Sequence, residues 1–167
     1  MPSIDPNALP YRPCVGVVVV NGEGLIWIGR RCDELTPQES VRRWQMPQGG
    51  RDDSEDPKQA ALRELYEETG IRSVEVVAES KGWITYDMPP EAVGIALKGK
   101  YRGQRQKWFA MRFTGDESEI TLAAPGHRPE FDAWRWAHPR EVLDAIVGFK
   151  RAAYEAVLTE FAPFLAA

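Results

Sequence analysis

The chain has 167 residues, of which 43% are hydrophobic and 28% are charged, and its formal net charge is −4. This balance is typical of one globular domain and excludes fibrous and intrinsically disordered proteins. It also argues against a protein that coats nucleic acid generally, because such proteins are usually basic throughout. No apolar run approaches the roughly 18 residues of a membrane-spanning helix.

The N-terminus and the cysteines bear on where the protein works. Met1 to Tyr11 has neither the basic patch nor the apolar region of a secretory signal. Cys14 and Cys32 are the two cysteines, and they give neither a disulfide framework nor a metal-ligand spacing. We therefore expect a cytoplasmic protein that does not associate with a membrane.

Positive charge is concentrated in one segment, from Lys98 to Arg112. This segment contains six cations and no acid, namely Lys98, Lys100, Arg102, Arg105, Lys107 and Arg112. Charge alone leaves two interpretations open. The segment is either a solvated basic loop or a local cradle for a polyphosphate.

The first elements in chain order are a lead-in and a hairpin. Residues 1–10 carry three prolines and little apolar content, which predicts a flexible segment before the domain. Two runs rich in β-branched residues, Cys14 to Val20 and Gly24 to Arg30, flank Asn21-Gly22-Glu23, and this pattern predicts a β-hairpin. The polar residues 31 to 43 predict a loop.

Capping signals predict a helix from Pro57 to Thr69. Asp56 is a favourable N-cap, Pro57 suits the first helical position, and Gln59 completes the spacing of a capping box. Gly70 stands where a left-handed residue commonly ends a helix.

The remaining elements are predicted from apolar and β-branched runs. Strands are expected near Val74 to Glu79, Gly82 to Tyr86, Gln106 to Phe113 and Trp134 to Ala137, and helices from His138-Pro139 to about Val147 and from about Lys150 to Phe161. This order predicts a mixed α/β sandwich that forms a single domain over residues 11–167.

Three carboxylates crowd one turn of the predicted first helix. Glu64, Glu67 and Glu68 stand at i, i+3 and i+4, so they share one face, where like charges repel. An exposed acidic face is one interpretation. The other is a site for a hard divalent cation, because Mg²⁺ prefers oxygen ligands and is commonly shared with phosphates.

The surrounding residues favour the metal site. Gly49 is followed by five residues, Glu55, seven residues and then Arg63 to Ile71, which reads Arg-Glu-Leu-Tyr-Glu-Glu-Thr-Gly-Ile. This segment resembles the complete Nudix box of the Nudix hydrolases, with a mild departure at Ser54, where many relatives have Gly. The resemblance implies a Nudix-type α/β/α sandwich with a mixed sheet, in which a loop-helix-loop binds catalytic metals.

The resemblance also implies roles for residues of the box. Glu64, Glu67 and Glu68 would bind Mg²⁺, with Mn²⁺ or Zn²⁺ as alternatives, and Glu68 and Arg63 would belong to the catalytic set. Arg63 and Glu55 would orient the helix and loop. Gly49 and Gly50 would allow a close approach of the backbone.

Segments outside the box resemble one subgroup, the bacterial RNA pyrophosphohydrolases, also described as dinucleoside polyphosphate hydrolases. The likeness runs from Tyr11 to about Phe161 and includes Tyr11-Arg12-Pro13, Trp44 to Gly50, Gln104 to Phe109, Pro129 to Trp136 and Phe149-Lys150-Arg151. It implies a nucleotide or an RNA 5′ end as the substrate. The implied site residues are Glu130 as a further metal ligand or general base, Arg12, Tyr86, Lys107 and Lys150 on phosphates, and Phe149 and Arg31 around a base.

Some of these residues also have structural interpretations. Glu130 alone would be an ordinary loop carboxylate, and Phe149 would be a core aromatic between helices. Core packing is expected for most of a set of four tryptophans, and a capping or turn role for His138; the tryptophans are Trp44, Trp108, Trp134 and Trp136.

The expected activity is metal-dependent hydrolysis of phosphoanhydride bonds. The expected reactions are removal of pyrophosphate from 5′-triphosphorylated RNA and cleavage of dinucleoside polyphosphates such as diadenosine tetraphosphate. The general base is left open between Glu68 and Glu130. Two other functions stay open, a housecleaning Nudix hydrolase of nucleoside triphosphates and a non-catalytic nucleotide-binding regulator with the same fold.

Overall fold

The computed structural model describes residues 8–32, 43–52, 54–89, 93, 100–122, 129–146 and 148–167. The strands there are Tyr11–Val20 (β1), Ile26–Arg31 (β2), Trp44–Gln45 (β3), Gln48–Gly50 (β4), Val74–Glu79 (β5), Ile84–Asp87 (β6), Gly103–Phe113 (β7) and Phe131–Ala137 (β8). The α-helices are Pro57–Thr69 (α1), Pro139–Ala145 (α2) and Gly148–Glu160 (α3). Short 3₁₀ turns cover Glu117–Glu119 and Ala162–Phe164.

These strands form one mixed sheet. Its main path runs β3-β2-β1-β7-β5, while β4 pairs with β1, β6 with β7, and β8 with β2. β1 and β7 are parallel over ten residue pairs, from Tyr11 beside Gly103 to Val20 beside Arg112. The other pairs are antiparallel. The long parallel pair therefore forms the centre of the domain.

The sheet has a hydrophobic core on each face, because successive side chains of a strand point to opposite faces and those of β1 are apolar on both. Val15, Val17 and Val19 of β1 belong to the cluster that contains Leu65 of α1. Val18 and Val20 belong to the cluster formed with α2 and α3, which includes Val142, Tyr154, Val157 and Leu158. The predicted α/β/α layering is confirmed.

The first helix has the predicted bounds. The Asp56 carboxylate accepts a hydrogen bond from the Gln59 amide at 3.2 Å and caps the helix. Gly70 has φ 75°, and its N–H donates to the Tyr66 carbonyl, which ends the helix in the left-handed conformation. Ala60, Ala61 and Leu65 are buried against the sheet, and the polar residues Glu68 and Thr69 of the same helix are buried too.

Other predicted bounds shift, because strand length follows the pairing partner and not the apolar run alone. Three strands start earlier than predicted: β1 at Tyr11 and not Cys14, β7 at Gly103 and not Gln106, and β8 at Phe131 and not Trp134. β6 starts two residues late, at Ile84, and Arg31 belongs to β2 and not to a loop. Most of the predicted lead-in and the loop residues 33–42 lie outside the described residues.

Two short strands were not predicted at all. β3 pairs with β2, and β4 pairs with β1, where Gln48 lies beside Gly16. Neither segment has an alternating apolar pattern of its own. Both strands form because a neighbouring strand pairs with them. β4 contains Gly49 and Gly50, which begin the Nudix-like segment.

The structural interpretations of several polar and aromatic residues are confirmed. His138 caps α2, since its Nδ1 accepts from the Arg140 amide at 3.1 Å and its N–H donates to Glu141. The four tryptophans considered above pack on the two hydrophobic clusters, with Trp108 fully buried. Burial raises the pKa of the Cys14 thiol to about 11, so this cysteine is protonated at neutral pH. None of the described helices is long and apolar enough to cross a membrane.

The hydroxyl of Tyr154 holds the segment before β4 to α3. It accepts a hydrogen bond from the Met46 amide at 3.0 Å, and both residues are buried. Tyr154→Phe leaves that amide without its acceptor, so we expect the free energy of unfolding to fall by about 1–3 kcal/mol. Urea denaturation measures this loss.

Tyr66→Phe is the matched control, at a half-buried position on α1 where the ring lies under the Arg72 guanidinium. This change should alter the free energy of unfolding by no more than about 0.5 kcal/mol. Equal losses in the two variants would show that the Tyr154 hydroxyl does not hold the segment.

Candidate active site

The three carboxylates of α1 lie against β4. Glu68 is only 8% exposed, and its Oε2 accepts a hydrogen bond from the Gln48 amide at 3.3 Å. Glu64 and Glu67 are partly buried, with 14% and 28% of their side chains exposed. The helix therefore carries these charges toward the sheet and not into open solvent.

Charged side chains approach the two glycines of β4 closely. A Cβ atom on Gly49 would overlap the Glu64 carboxylate, and one on Gly50 would overlap the Arg12 guanidinium. Both neighbours are charged groups, and Arg63 holds the Glu64 carboxylate in place. A side chain at either position would push a carboxylate or a guanidinium out of place.

Arg63 connects the loop, the helix and the strand. Its Nε and Nη2 donate to the two oxygens of Glu55, each at 2.9 Å, and Nη2 also donates to the Gly50 carbonyl at 3.1 Å. Its Nη1 donates to Glu64 at 2.9 Å and to Glu67 at 3.2 Å. The hydrogen bond from Arg63 is the main cause that lowers the pKa of Glu55. Arg63 thus orients this region through one guanidinium.

Burial and mutual repulsion disfavour the ionised form of the carboxylates in this cluster. Burial raises the pKa of Glu68 well above its usual value, and the negative charges of Glu130, Glu64 and Glu67 raise it further. Burial also raises the pKa of Glu64, against the attraction of Arg63. Glu130 is exposed, directly before β8, and its charge reaches Glu68.

The donor set fits a hard divalent cation. Carboxylate oxygens are its preferred ligands, and mutual repulsion among buried carboxylates is the condition that a cation relieves. Within the described residues, no three acidic, histidine or cysteine side chains already stand at metal-binding distances. Arg63 holds Glu64 and Glu67 in this arrangement, so a cation would share them with the guanidinium.

A second group of side chains, the cleft residues Tyr86, Phe149 and Lys150, lies where α3 packs against β6. Tyr86 is 7% exposed and lies 5.8 Å from the half-buried Phe149 between ring centroids. The Lys150 amine lies 5.8 Å from the Tyr86 centroid and 5.9 Å from that of Phe149, and it donates to Gln45 at 3.3 Å. Lys150 is only 6% exposed, so an ammonium is held inside this wall.

Two arginines complete the group around Tyr86. Arg12 lies beside Gly50, and its positive charge lowers the pKa of Tyr86, which burial raises. The positive charge of Arg31 also lowers the pKa of Tyr86 and that of Tyr154, against the effect of burial. Tyr86 therefore has Phe149 and Lys150 beside it and lies within reach of the charges of Arg12 and Arg31.

Lys107 is not part of this group. Strand alternation puts it on the face of β7 that also carries Arg105 and Phe109, the face covered by α1. Its amine lies 3.8 Å from the Glu79 carboxylate. Tyr86 stands beside Gln104, on the opposite face.

The basic segment does not act as one unit. Most of its described part is strand β7 and not a loop. Arg102 pairs with Asp87 at 2.8 Å, Arg112 with Glu75 at 3.4 Å, and Arg105 lies 4.1 Å from the Trp83 ring centroid. Lys98 lies outside the described residues.

Sequence reasoning missed three glutamines in the cleft wall. Gln106 donates to the side chains of Gln48 and Gln104, at 2.9 Å each, and accepts from the Trp108 indole at 3.0 Å. Gln104 and Gln106 are buried. Their i, i+2 spacing on a strand was the available signal, because it puts two amides on one face.

Comparison with known proteins gives the family. The family model described as NUDIX domain matches residues 10–157. An RNA pyrophosphohydrolase of Rhizobium meliloti (strain 1021) is 59% identical over 157 residues, covering 92% of this chain and 94% of the relative. One of Brucella ovis is 57% identical over 164 residues, covering 95% and 91%.

Solved structures show the same fold at low sequence identity. The binary complex of a C. elegans Ap4A hydrolase is similar with a TM-score of 0.61 and 18% identity, covering 91% of this chain and 98% of that one. The E. coli dihydroneopterin triphosphate pyrophosphohydrolase is similar with a TM-score of 0.66 and 17% identity, covering 90% and 99%. Nudix hydrolases generally need a divalent metal ion. The chain belongs to the Nudix family and is a hydrolase of phosphoanhydride bonds.

Proposed function

We propose that this chain removes pyrophosphate from 5′-triphosphorylated RNA and also cleaves dinucleoside polyphosphates such as diadenosine tetraphosphate. The proposal is carried by two features together, which are the carboxylate cluster of α1 beside β4 and the cationic and aromatic cleft residues between β6 and α3. The identity of 57–59% with RNA pyrophosphohydrolases supports the RNA substrate. Likeness to an Ap4A hydrolase supports the fold alone.

Glu64, Glu67 and Glu68 would hold Mg²⁺, with Glu130 as a further ligand, and Mn²⁺ or Zn²⁺ are alternative ions. When bound, a divalent ion lowers the pKa of a coordinated water and neutralises charge on the phosphoryl oxygens. The repulsion that raises the pKa of Glu68 supports this assignment, because a cation placed there would relieve it.

A carboxylate of the cluster takes the proton of the attacking water. Glu68 and Glu130 are the two candidates. They lie near each other, since the charge of Glu130 raises the pKa of Glu68. Water then attacks one phosphorus atom. The bond between that phosphorus and the bridging anhydride oxygen breaks, and this oxygen leaves with the remaining phosphates.

The products follow from the bond that breaks. Triphosphorylated RNA and water give pyrophosphate and 5′-monophosphorylated RNA. Diadenosine tetraphosphate and water give ATP and AMP. One site serves both substrates because each presents a nucleoside beside a polyphosphate.

The cleft residues would bind the remainder of the substrate. Arg12, Lys150 and Tyr86 offer two charges and a phenol to phosphate oxygens, and the buried position of Lys150 strengthens its attraction for an anion. The half-buried ring of Phe149 presents a face on which a base stacks, and Arg31 would cover the other side. Lys107 would bind a phosphate from the opposite face of β7.

The activity assay compares this proposal with its alternatives. Purified protein with Mg²⁺ is expected to release pyrophosphate from triphosphorylated RNA and to form ATP from diadenosine tetraphosphate. Glu68→Gln keeps the shape of the side chain and removes its charge, so turnover should fall at least about 10²-fold, as it does when one catalytic charge or base is lost. Near-normal turnover of this variant would remove Glu68 from the catalytic set.

The same assay separates the other functions. A housecleaning enzyme would prefer free nucleoside triphosphates over both substrates. A regulator would bind nucleotide without turnover, with or without Glu68.

Lys150 and Lys107 lie on opposite faces of the sheet, so the same substitution at each provides a matched test of phosphate binding. Lys150→Met removes the cleft ammonium and keeps most of the apolar stem, so the KM for triphosphorylated RNA should rise about tenfold or more, the scale of a hydrogen bond to a charged group. Lys107→Met makes the same change beside Glu79, and we expect a smaller rise. Steady-state kinetics at low and high salt measure both.

Salt dependence gives the second criterion. The defect of Lys150→Met should be largest at low ionic strength, where screening is weakest. An equal rise in KM for the two variants would assign Lys107 and Lys150 the same role despite their positions.

Phe149→Ala distinguishes a stacking ring from a core ring. Loss of a base–aromatic stack weakens nucleotide and RNA substrates by about 1–3 kcal/mol. Because Phe149 is half-buried, its truncation should lower stability less than that of Phe161, which is buried just after α3 and should cost about 3–5 kcal/mol on truncation. Melting temperature and KM are measured on both variants. Unchanged KM together with a large loss of melting temperature for Phe149→Ala would rule out stacking.

A further inference from the structure

An exposed tryptophan lies beside two arginines, just before strand β6. Trp83 is 37% exposed, and it is the one exposed large hydrophobic side chain within the described part of the chain. The Arg105 guanidinium lies 4.1 Å from the centroid of its ring, and that of Arg51 lies 5.6 Å away. Arg105 is exposed and Arg51 is half-buried. These three residues form the arginine–tryptophan patch.

Strand pairing places Arg105 on the α1 face of the sheet. Arg105 and Lys107 are two residues apart on β7, so their side chains share a face. Lys107 stands beside Val15 of β1, which packs in the same cluster as Leu65 of α1. The patch is therefore on the face to which the catalytic helix packs.

The same face carries the Glu64 carboxylate. Glu64 lies against Gly49 of β4, which stands beside Val15. Val15 in turn stands beside Lys107. Neighbouring strands are about 4.8 Å apart, so the backbones of Gly49 and Lys107 are separated by about 10 Å. A ligand whose phosphates lie at the carboxylate cluster is thus close to the cations of β7.

Arg51 joins the patch to the loop of the candidate active site. It directly follows Gly50, whose carbonyl accepts a hydrogen bond from Arg63, and its own Nη1 donates to the Glu55 carbonyl at 3.0 Å. Its backbone N–H donates to the carbonyl of Pro13, which is the neighbour of Arg105 in the sheet. The patch and the site are therefore continuous along the surface.

The chemistry of the patch fits a nucleotide. An aromatic ring offers a stacking face to any base, and an arginine that stacks on the ring still presents N–H groups to a phosphate. The protein as a whole has a net charge of −4, so cations gathered beside one exposed ring are a local feature. A protein partner would need a broad apolar surface, whereas this patch offers a single ring beside charges.

We propose that the arginine–tryptophan patch binds nucleotides of an RNA substrate downstream of the one held in the cleft. This inference rests on the proposed function, in which one base stacks on Phe149 beside Tyr86. Trp83 precedes Tyr86 by three residues, so a single strand that leaves the cleft reaches the tryptophan ring by passing β6. A downstream base stacks on Trp83, and Arg105 binds an adjoining phosphate.

The test uses two ligands without a phosphoanhydride bond, AMP and a 5′-monophosphorylated single-stranded hexanucleotide of adenosine. Only the hexanucleotide extends to the patch. Trp83→Ala should therefore raise its dissociation constant about tenfold, within the range of one base–aromatic stack, and leave that of AMP unchanged. Calorimetry with Mg²⁺ measures both constants, and melting temperatures show whether the variant is folded. If the constant of the hexanucleotide rises no more than that of AMP, the proposal is overturned.

Arg105→Gln tests the phosphate contact and covers the case in which Trp83→Ala does not fold. Its matched control is Arg112→Gln, which removes the same charge from β7 at a position beside Glu75, seven residues along the strand. The slope of the logarithm of the hexanucleotide constant against that of salt concentration should fall by about 0.7 for Arg105→Gln, the value for one contact to a single strand. Arg112→Gln should keep the parent slope. Equal slopes for the two variants would overturn the assignment of Arg105 to RNA.

Turnover separates this proposal from the proposed function, because the binding measurements need no reaction. A parent protein that binds the hexanucleotide through Trp83 but releases no pyrophosphate from triphosphorylated RNA contradicts the proposed function alone. A parent that releases pyrophosphate, while Trp83→Ala binds the hexanucleotide as tightly as the parent does, contradicts the patch alone.

Discussion

The bidentate ion pair between Arg63 and Glu55 is the interaction on which the geometry of the site depends. The same guanidinium reaches the Gly50 carbonyl and the carboxylates of Glu64 and Glu67. A planar group with five donors in a fixed arrangement joins a loop, a helix and a strand in a way that the single point charge of a lysine does not. Its exposed fraction of 38% moderates the energy of each pair, so its role is orientation more than stability.

The parallel pairing of β1 with β7 determines which side chains meet. Ten consecutive residue pairs fix the register, and each strand then sends alternate side chains to opposite faces. Arg12 and Gln104 reach the α3 face, while Lys107 reaches the α1 face beside Glu79. Arg12 and Lys107 lie on paired strands and yet face opposite sides of the sheet. A count of the charges in a sequence segment does not reveal this difference.

Polar groups buried around the cleft carry a cost that the fold offsets with specific partners. Gln106 has three hydrogen bonds, and the Lys150 ammonium has Gln45 and two aromatic rings. Glu68 accepts one bond from the Gln48 amide while its neighbours repel it. A site of this kind is already organised for an anionic chain and a cation, because its dipoles and charges are in place before either binds.

The sequence by itself determined the elements whose signals are local. The bounds of α1 follow from Asp56, Pro57 and Gly70, and the face shared by the carboxylates follows from the 3.6-residue period of a helix. The Nudix-like spacing pointed to the family. These features depend on neighbours along the chain, so no tertiary information was needed.

Only the tertiary structure decided which distant residues share a surface. The assignment of Lys107 to the α1 face depends on the register between β1 and β7, and so do the side-chain hydrogen bonds that Gln106 forms with Trp108, Gln104 and Gln48. The burial of Lys150 depends on the packing of α3 on the sheet. The short strands β3 and β4 likewise exist because β2 and β1 offer them partners. A strand's periodicity tells which residues share a face but not which face is the cleft, because the packing of the helices on the sheet decides that.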